Sequence, residues 1–300
     1  MQVETILHVE KLSKRFGRIR AVNQLSFEVG RGQVFGILGP NGSGKTTTLS
    51  MLLDLIPPDD GTFSWFGQPP SKDSRKRIGS VIESPNFFPY LDAVTNLKIV
   101  ADIKDKPYDD IDEVLQLSGL YERRFSKFRT FSFGMRQRLA LASALLGKPE
   151  VMILDEPTNG LDPQGIAQIR DLISLVASRG TTILLASHLL DEVQKICSYV
   201  VVLRKGVMLF SGNVREVLAV SDSIEMASSD MPVLAAAIAE FPGFLASTAI
   251  NGILQVHFDR PVVTSEINTF LYIKGIVLSH LSEKKRSLEQ HFLELLQDTP

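Results

Sequence analysis

The octapeptide Gly39-Pro40-Asn41-Gly42-Ser43-Gly44-Lys45-Thr46 fits G-x-x-x-x-G-K-[ST] and leaves the chain around it few ways to fold. Such a loop joins the end of a strand to the start of a helix. Here the apolar run Gly32 to Leu38 precedes it, and Thr47 to Leu53 follows as a helix start free of Gly and Pro. The glycines let the backbone curl so that successive N–H groups point at phosphate oxygens, and the helix adds the positive end of its dipole. Candidate phosphate contacts are therefore Gly39, Pro40, Asn41, Gly42, Ser43, Gly44, Lys45, Thr46 and Thr47. Lys45 can reach the β- and γ-phosphates, and the Thr46 hydroxyl can ligate Mg²⁺. The expectation is a nucleoside triphosphate site.

A chain of 300 residues has room for one large α/β domain and a smaller one. A net charge of −2 argues against an electrostatically driven nucleic-acid binder. The basic clusters Lys72 to Arg77 and Arg123 to Arg129 read as solvated faces, without the length or aromatics of a nucleic-acid tract. Cys197 is the one cysteine, which points to a reducing compartment and to a small buried side chain. The N-terminus lacks the pattern of a signal peptide, and no apolar run approaches the ~20 residues of a membrane span. Any membrane role is expected to come through a partner.

Val151 to Glu156 is an apolar strand ending in two carboxylates. Ligand sites in parallel sheets lie beyond the carboxyl ends of the strands. Asp155 is placed to hold Mg²⁺, and Glu156, pointing differently, to orient or deprotonate the attacking water. A third run, Thr182 to Ser187, ends at His188, within reach of a γ-phosphate at the same edge.

The segment Phe131-Ser132-Phe133-Gly134-Met135-Arg136-Gln137-Arg138 resembles the signature of ATP-binding-cassette (ABC) ATPases, usually LSGGQ followed by x-Q-R. Ser132, Gly134, Gln137 and Arg138 match that form; Phe131, Phe133 and Met135 depart from it. The following Pro157 to Pro163, with Asp162, resembles the family's D-loop, and His188 its switch histidine. Phe16 matches its adenine-stacking aromatic, with a core phenylalanine as the alternative. These motifs occur in order between Leu7 and about Leu218. The resemblance implies ATP and Mg²⁺ as cofactors and Thr46, Asp155 and Glu83 as metal-linked positions. It gives catalytic roles to Lys45, Glu156 and His188. Two subunits are then expected to close head to tail, so that Ser132 and Gly134 complete the site on the opposite chain, with Asp162 of the D-loop as a further nucleotide-binding position.

Most members carry glutamine where this chain has Glu83, after the strand Ile78 to Ile82. Glu83 can be a metal or water ligand, or it can cap the start of the helical subdomain. With the following Ser84 to Tyr90 it resembles the ATPases of bacitracin- and lantibiotic-resistance exporters. The Pro- and aromatic-rich loop Pro85 to Leu91 is expected either to receive a cytoplasmic helix of the membrane subunit or to pack the subdomain.

From Ser221 the pattern changes to strand-helix-strand-strand-helix-strand, with Asn251-Gly252 as a hairpin turn, strands at 223–226 and 276–281, and helices at 232–241 and 264–273. A last helix is expected from a capping box at Ser287. The expected fold is thus α/β, a P-loop NTPase of ABC ATPase type over residues 1–218 with a helical subdomain at about 84–146. A small α+β, ferredoxin-like domain follows over 219–300. The function this implies is the ATP-hydrolysing subunit of an exporter of drug, peptide or lipid-like compounds, at the inner face of the cell membrane through an integral permease. A soluble, non-transporting ABC ATPase is the alternative.

Overall fold

The computed structural model describes residues 4–83, 86–214 and 223–284, in two compact units, Met1–Gly212 and Asn213–Pro300. The expected junction at 218/219 falls within 215–222, outside the described residues.

The first unit holds two sheets. β1 (Thr5–Phe16) and β2 (Ile19–Gly30) form a long antiparallel hairpin, and β4 (Asp60–Trp65) pairs with the other edge of β1. The second sheet has the order β5-β6-β7-β3-β8-β9, from β3 (Val34–Leu38), β5 (Ile78–Val81), β6 (Val151–Asp155), β7 (Thr182–Ser187), β8 (Tyr199–Arg204) and β9 (Val207–Asn213). The pairs β5–β6, β6–β7, β7–β3 and β3–β8 are parallel. Every residue of β3, β6 and β7 is buried, which explains their nearly unbroken apolar sequence: a parallel sheet covered on both faces has no solvent side. Between the sheets Phe35 stacks on Phe27 and Tyr199 at 5.2 and 5.5 Å, and the Trp65 indole N–H donates to Leu52 O at 2.9 Å. Asp155 opposes Ala186 and Leu38 opposes Ser187, so three strands end together at one edge.

The helices of this unit are α1 (Lys45–Leu52), α2 (Lys72–Lys76), α3 (Ala93–Lys104), α4 (Ile111–Leu117), α5 (Phe133–Leu145), α6 (Pro163–Ser178) and α7 (Leu190–Ile196). The helical stretch expected at 84–146 contains α3 to α5; Ser84 and Pro85 lie outside the described residues. α3 is capped by Asp92, whose carboxylate accepts from Thr95 N at 2.7 Å. Among the described residues Glu83 caps no helix, since α3, the first helix of that stretch, is capped by Asp92. Asn96, buried, braces the preceding loop by accepting from Phe88 N at 2.8 Å and donating to Phe88 O at 3.2 Å. In that loop Phe87 packs edge-on against Phe128 at 5.2 Å, whereas Phe88 and Tyr90 are exposed.

The second unit runs β10 (Ser223–Ser228), α8 (Met231–Ile238), β11 (Phe244–Ile250), β12 (Ile253–Phe258), α9 (Thr264–Ile273) and β13 (Leu278–Lys284). Its antiparallel sheet has the order β11-β12-β10-β13 around a core that includes Met226, Leu234, Val256 and Leu271. Asn251 and Gly252 both take positive φ, 50° and 77°, as a two-residue I′ turn requires. The last strand begins at Leu278 rather than at the expected Ile276 because Ile276 N donates to Leu271 O at 2.9 Å, closing the end of α9. The helix expected from Ser287 lies outside the described residues. No helix among the described residues is long and apolar enough to cross a membrane.

Candidate functional site

Between β3 and α1 the loop from Gly39 to Gly44 turns back on itself. Gly44 sits at φ 106°, and a Cβ there would meet the Ala21 carbonyl oxygen at 2.3 Å, so only glycine fits. Lys45 is buried, and its ammonium donates to Gly39 O at 2.7 Å and Pro40 O at 3.2 Å, bridging the loop from inside. It also lies 3.2 Å from Glu156 Oε1. That contact is an ion pair by distance only, since Oε1 has no hydrogen-bond partner. The hydroxyl of Ser43 is buried and likewise unpartnered.

Asp155 and Glu156 end β6 with opposite surroundings. Asp155 Oδ2 accepts from the Thr46 hydroxyl at 2.7 Å, while Oδ1 is buried without a partner. Burial raises the Asp155 pKa above the ordinary carboxylate value; the Thr46 hydrogen bond opposes this, and the charges of Glu156 and Glu83 add to the rise. Glu156 takes φ 48°, a left-handed conformation that costs a side-chain-bearing residue of order 1–3 kcal/mol and clusters at functional sites. Its N–H still donates to Ala186 O at 2.9 Å, so the turn begins only after the ladder is complete. Glu156 Oε2 lies 2.8 Å from His188 Nδ1 and accepts from His188 N at 3.3 Å. Glu83 stands just past β5, the neighbour of β6, at φ 59° and exposed; it touches none of these groups but its charge reaches Asp155.

A cleft of about 390 Å³ runs along the loop, lined by Asn41, Gly42, Gly44, Lys45, Thr46, Thr47 and Glu156. Its other wall is Ile19, Arg20 and Ala21 from β2 and Lys205 from the β8–β9 turn. No motif marks these four residues. The turn is held there because Gly206 N donates to Ser43 O at 3.0 Å and Asn23 N to Gly206 O at 2.8 Å. Phe16 is 51% exposed and opposes the wall residue Ile19 in the hairpin register. The core alternative for Phe16 is overturned.

Ser132, Gly134 and Asp162 form a separate group. Ser132 caps α5, its hydroxyl accepting from Met135 N at 3.3 Å, and Asp162 caps α6, accepting from Gly165 N at 2.8 Å. They line a second hollow of about 420 Å³ that shares no lining residue with the Lys45 cleft. The structure therefore brings Lys45, Thr46, Asp155, Glu156 and His188 together and leaves the Ser132 group apart.

Comparison with known proteins agrees with this geometry. The ABC transporter family profile matches residues 22–159. An ABC transporter ATP-binding protein of Bacillus subtilis (strain 168), YhcH, is 36% identical over 99% of this chain and 98% of its own. The bacitracin transport ATP-binding protein BcrA of Enterococcus faecalis is 32% identical over the same shares, 99% and 98%. Among solved structures, cbiO1 from Clostridium perfringens, part of the ABC transporter complex cbiONQ, superposes with a TM-score of 0.66 at 28% identity, covering 79% of this chain and 95% of that one. Similarity over nearly the full length, joined to a phosphate loop facing Asp155 and Glu156, places the chain in the family of ABC transporter ATP-binding proteins.

Proposed function

We propose that this chain powers an exporter of drug, peptide or lipid-like compounds, with ATP hydrolysed in the Lys45 cleft and Glu156 as the general base. The observation that carries the reading is the convergence of Lys45, Thr46, Asp155, Glu156 and His188 at one sheet edge. Loop N–H groups and the Lys45 ammonium receive the β- and γ-phosphates. Phe16, opposite the wall residue Ile19, stacks on the adenine. Glu156 takes a proton from the attacking water, and His188, hydrogen-bonded to it, holds the carboxylate in place and meets the γ-phosphate.

The residues present fit Mg²⁺: Asp155 offers a buried, unpartnered oxygen next to the Thr46 hydroxyl, a hard-oxygen set suited to that ion. Thr46 and Asp155 would hold it, with Glu83 adding charge behind them. When bound there, the ion would offset negative charge on the phosphates.

Ser132, Gly134 and Asp162 line a hollow that is not part of the Lys45 cleft, which suits a head-to-tail pair in which they meet the nucleotide of the opposite chain. Exposed Phe88 and Tyr90 offer an aromatic contact for an integral membrane permease, and the chain then sits at the inner face of the cell membrane. Full-length similarity to a bacitracin transport ATPase supports export.

Two measurements test this. Lys45→Ala should lose ATP binding by more than about tenfold, since a charge-assisted contact to phosphate contributes roughly 1.5–3 kcal/mol; unchanged affinity would remove Lys45 from the site. Co-expression with a candidate permease should place the chain in the membrane fraction and raise bacitracin tolerance. A chain that stays in the soluble fraction with every such permease favours a non-transporting ATPase.

A further inference from the structure

A cavity of about 340 Å³ lies where α2, the C-terminal end of α3 and the segment after α5 meet. Five cations and one carboxylate line it, Lys72, Arg75 and Lys76 from the α2 side and Lys104, Asp105 and Lys106 from the end of α3, over aliphatic side chains that include Ile78 and Leu146. In a chain of net charge −2 this is a local concentration of positive charge. Arg75 is offset by an ion pair with Asp54, and Lys76 by Asp105 at 3.6 Å. Lys72, Lys104 and Lys106 have no carboxylate within ion-pair distance among the described residues.

Lys72 is exposed, whereas Lys104 and Lys106 are held in place. The Lys104 ammonium is partly buried and donates to Ser143 O at 2.7 Å, and burial together with the charge of Lys106 pushes its pKa down to about 8. Lys106 lays its stem across Gly147, where a Cβ would come 2.6 Å from Lys106 Cδ. The backbone at Gly147, with φ 77°, thus leaves room for that side chain. Holding like charges together costs stability unless a counter-charge is supplied.

We propose that this cavity binds a small phosphate-bearing anion through Lys72, Lys104 and Lys106, at a site separate from the nucleotide cleft. Lysine ammoniums are compact point charges that suit phosphate oxygens. The volume is near the lower end of ligand sites, roughly 300–1,000 Å³, which suits a phosphate ester or pyrophosphate. No aromatic side chain lines the cavity, so it has no platform for stacking nucleic-acid bases. A bound anion would link α3 to α2.

The test is calorimetric titration of inorganic pyrophosphate into the full chain with its nucleotide cleft saturated by ADP. A saturable binding event is expected. In the Lys72→Glu, Lys106→Glu double variant it should weaken by at least about tenfold, the loss of two charge-assisted contacts, with ADP affinity unchanged. If that variant melts early, Lys72→Gln with Lys106→Gln gives the same comparison without charge reversal. A parallel arm uses phosphatidylcholine vesicles with and without phosphatidic acid. Lysine-dependent binding only to the phosphatidic acid vesicles assigns the phosphate to a lipid headgroup, and lysine-dependent pyrophosphate binding assigns it to a soluble ligand. The proposal is overturned if neither probe binds, or if every probe that binds the parent binds the variant equally well.

Discussion

Glu83 is exposed just past β5 and touches none of the cleft groups, yet its charge reaches Asp155. Among the described residues it caps no helix, because Asp92 begins α3, and its charge contributes to raising the Asp155 pKa. Glu83→Gln should therefore keep turnover but need more Mg²⁺ for half-maximal rate, because one attracting charge is gone. Glu83→Ala should lower turnover per folded molecule by more than the Gln variant does. ATPase rate against Mg²⁺, read beside thermal melting, checks both; an Ala variant that melts early yet turns over normally would remove Glu83 from any metal-linked part. The phosphate-loop residues and the two β6 carboxylates were legible because their chemistry depends on spacing within one segment. Ile19, Arg20 and Lys205 were not, because they reach the cleft through a hairpin and a turn far from it in sequence. The exposure of Phe16 follows from its place at the hairpin tip, which its neighbours in sequence do not reveal.

At the scale of elements, β3, β6 and β7 could be read directly, since strands buried on both faces are continuous apolar runs and their ends carry the site. The start of β13 could not, because an apolar pair after Gly275 serves equally as strand or helix closure, and the Ile276 N–H goes to Leu271 O. The opposite edge of the parallel sheet is tied by Glu150, just before β6, which accepts from Arg77 Nε at 2.5 Å and Arg31 Nη1 at 2.8 Å. Arg77 first and then Arg31 pull the Glu150 pKa down from 4.5 to about 2. A carboxylate lowered on folding stabilises the native state above its unfolded pKa, and this contribution fades as pH falls from about 4.5 toward 2. Glu150 keeps 37% side-chain exposure, so solvent screening limits the effect to about 1 kcal/mol. Glu150→Gln should melt lower at pH 7 by a few degrees, with the gap to the parent closing as pH drops below 4.5. A gap that stays constant with pH would mean the ion pairs contribute nothing.

At the scale of the whole molecule, two cores share no residue: one draws on residues from Ile6 to Leu203, the other on residues from Ile224 to Leu271. A chain truncated after Leu218 should therefore fold and bind ATP with unchanged affinity, as calorimetry and circular dichroism would show. An insoluble fragment, or one that cannot bind ATP, would mean the C-terminal segment completes the first core. We read the second unit as a ferredoxin-like sandwich, from its strand-helix repeat and the sheet order β11-β12-β10-β13. Its element order was legible from alternation and turn residues, whereas its role was not, since no group of three or more His, Cys, Asp or Glu side chains placed to hold a metal occurs among the described residues.

We propose that Glu156 supplies the base in the Lys45 cleft, and the substitution that decides this is Glu156→Gln. The amide keeps the size of the side chain and leaves Thr46 and Asp155 in place, so ATP affinity should be retained. Steady-state hydrolysis should fall by on the order of 10²- to 10⁴-fold, the usual contribution of a general base, while an ATP-bound pair of chains accumulates in light scattering. Turnover at the parent rate, with ATP affinity intact, would mean that Glu156 is not the base.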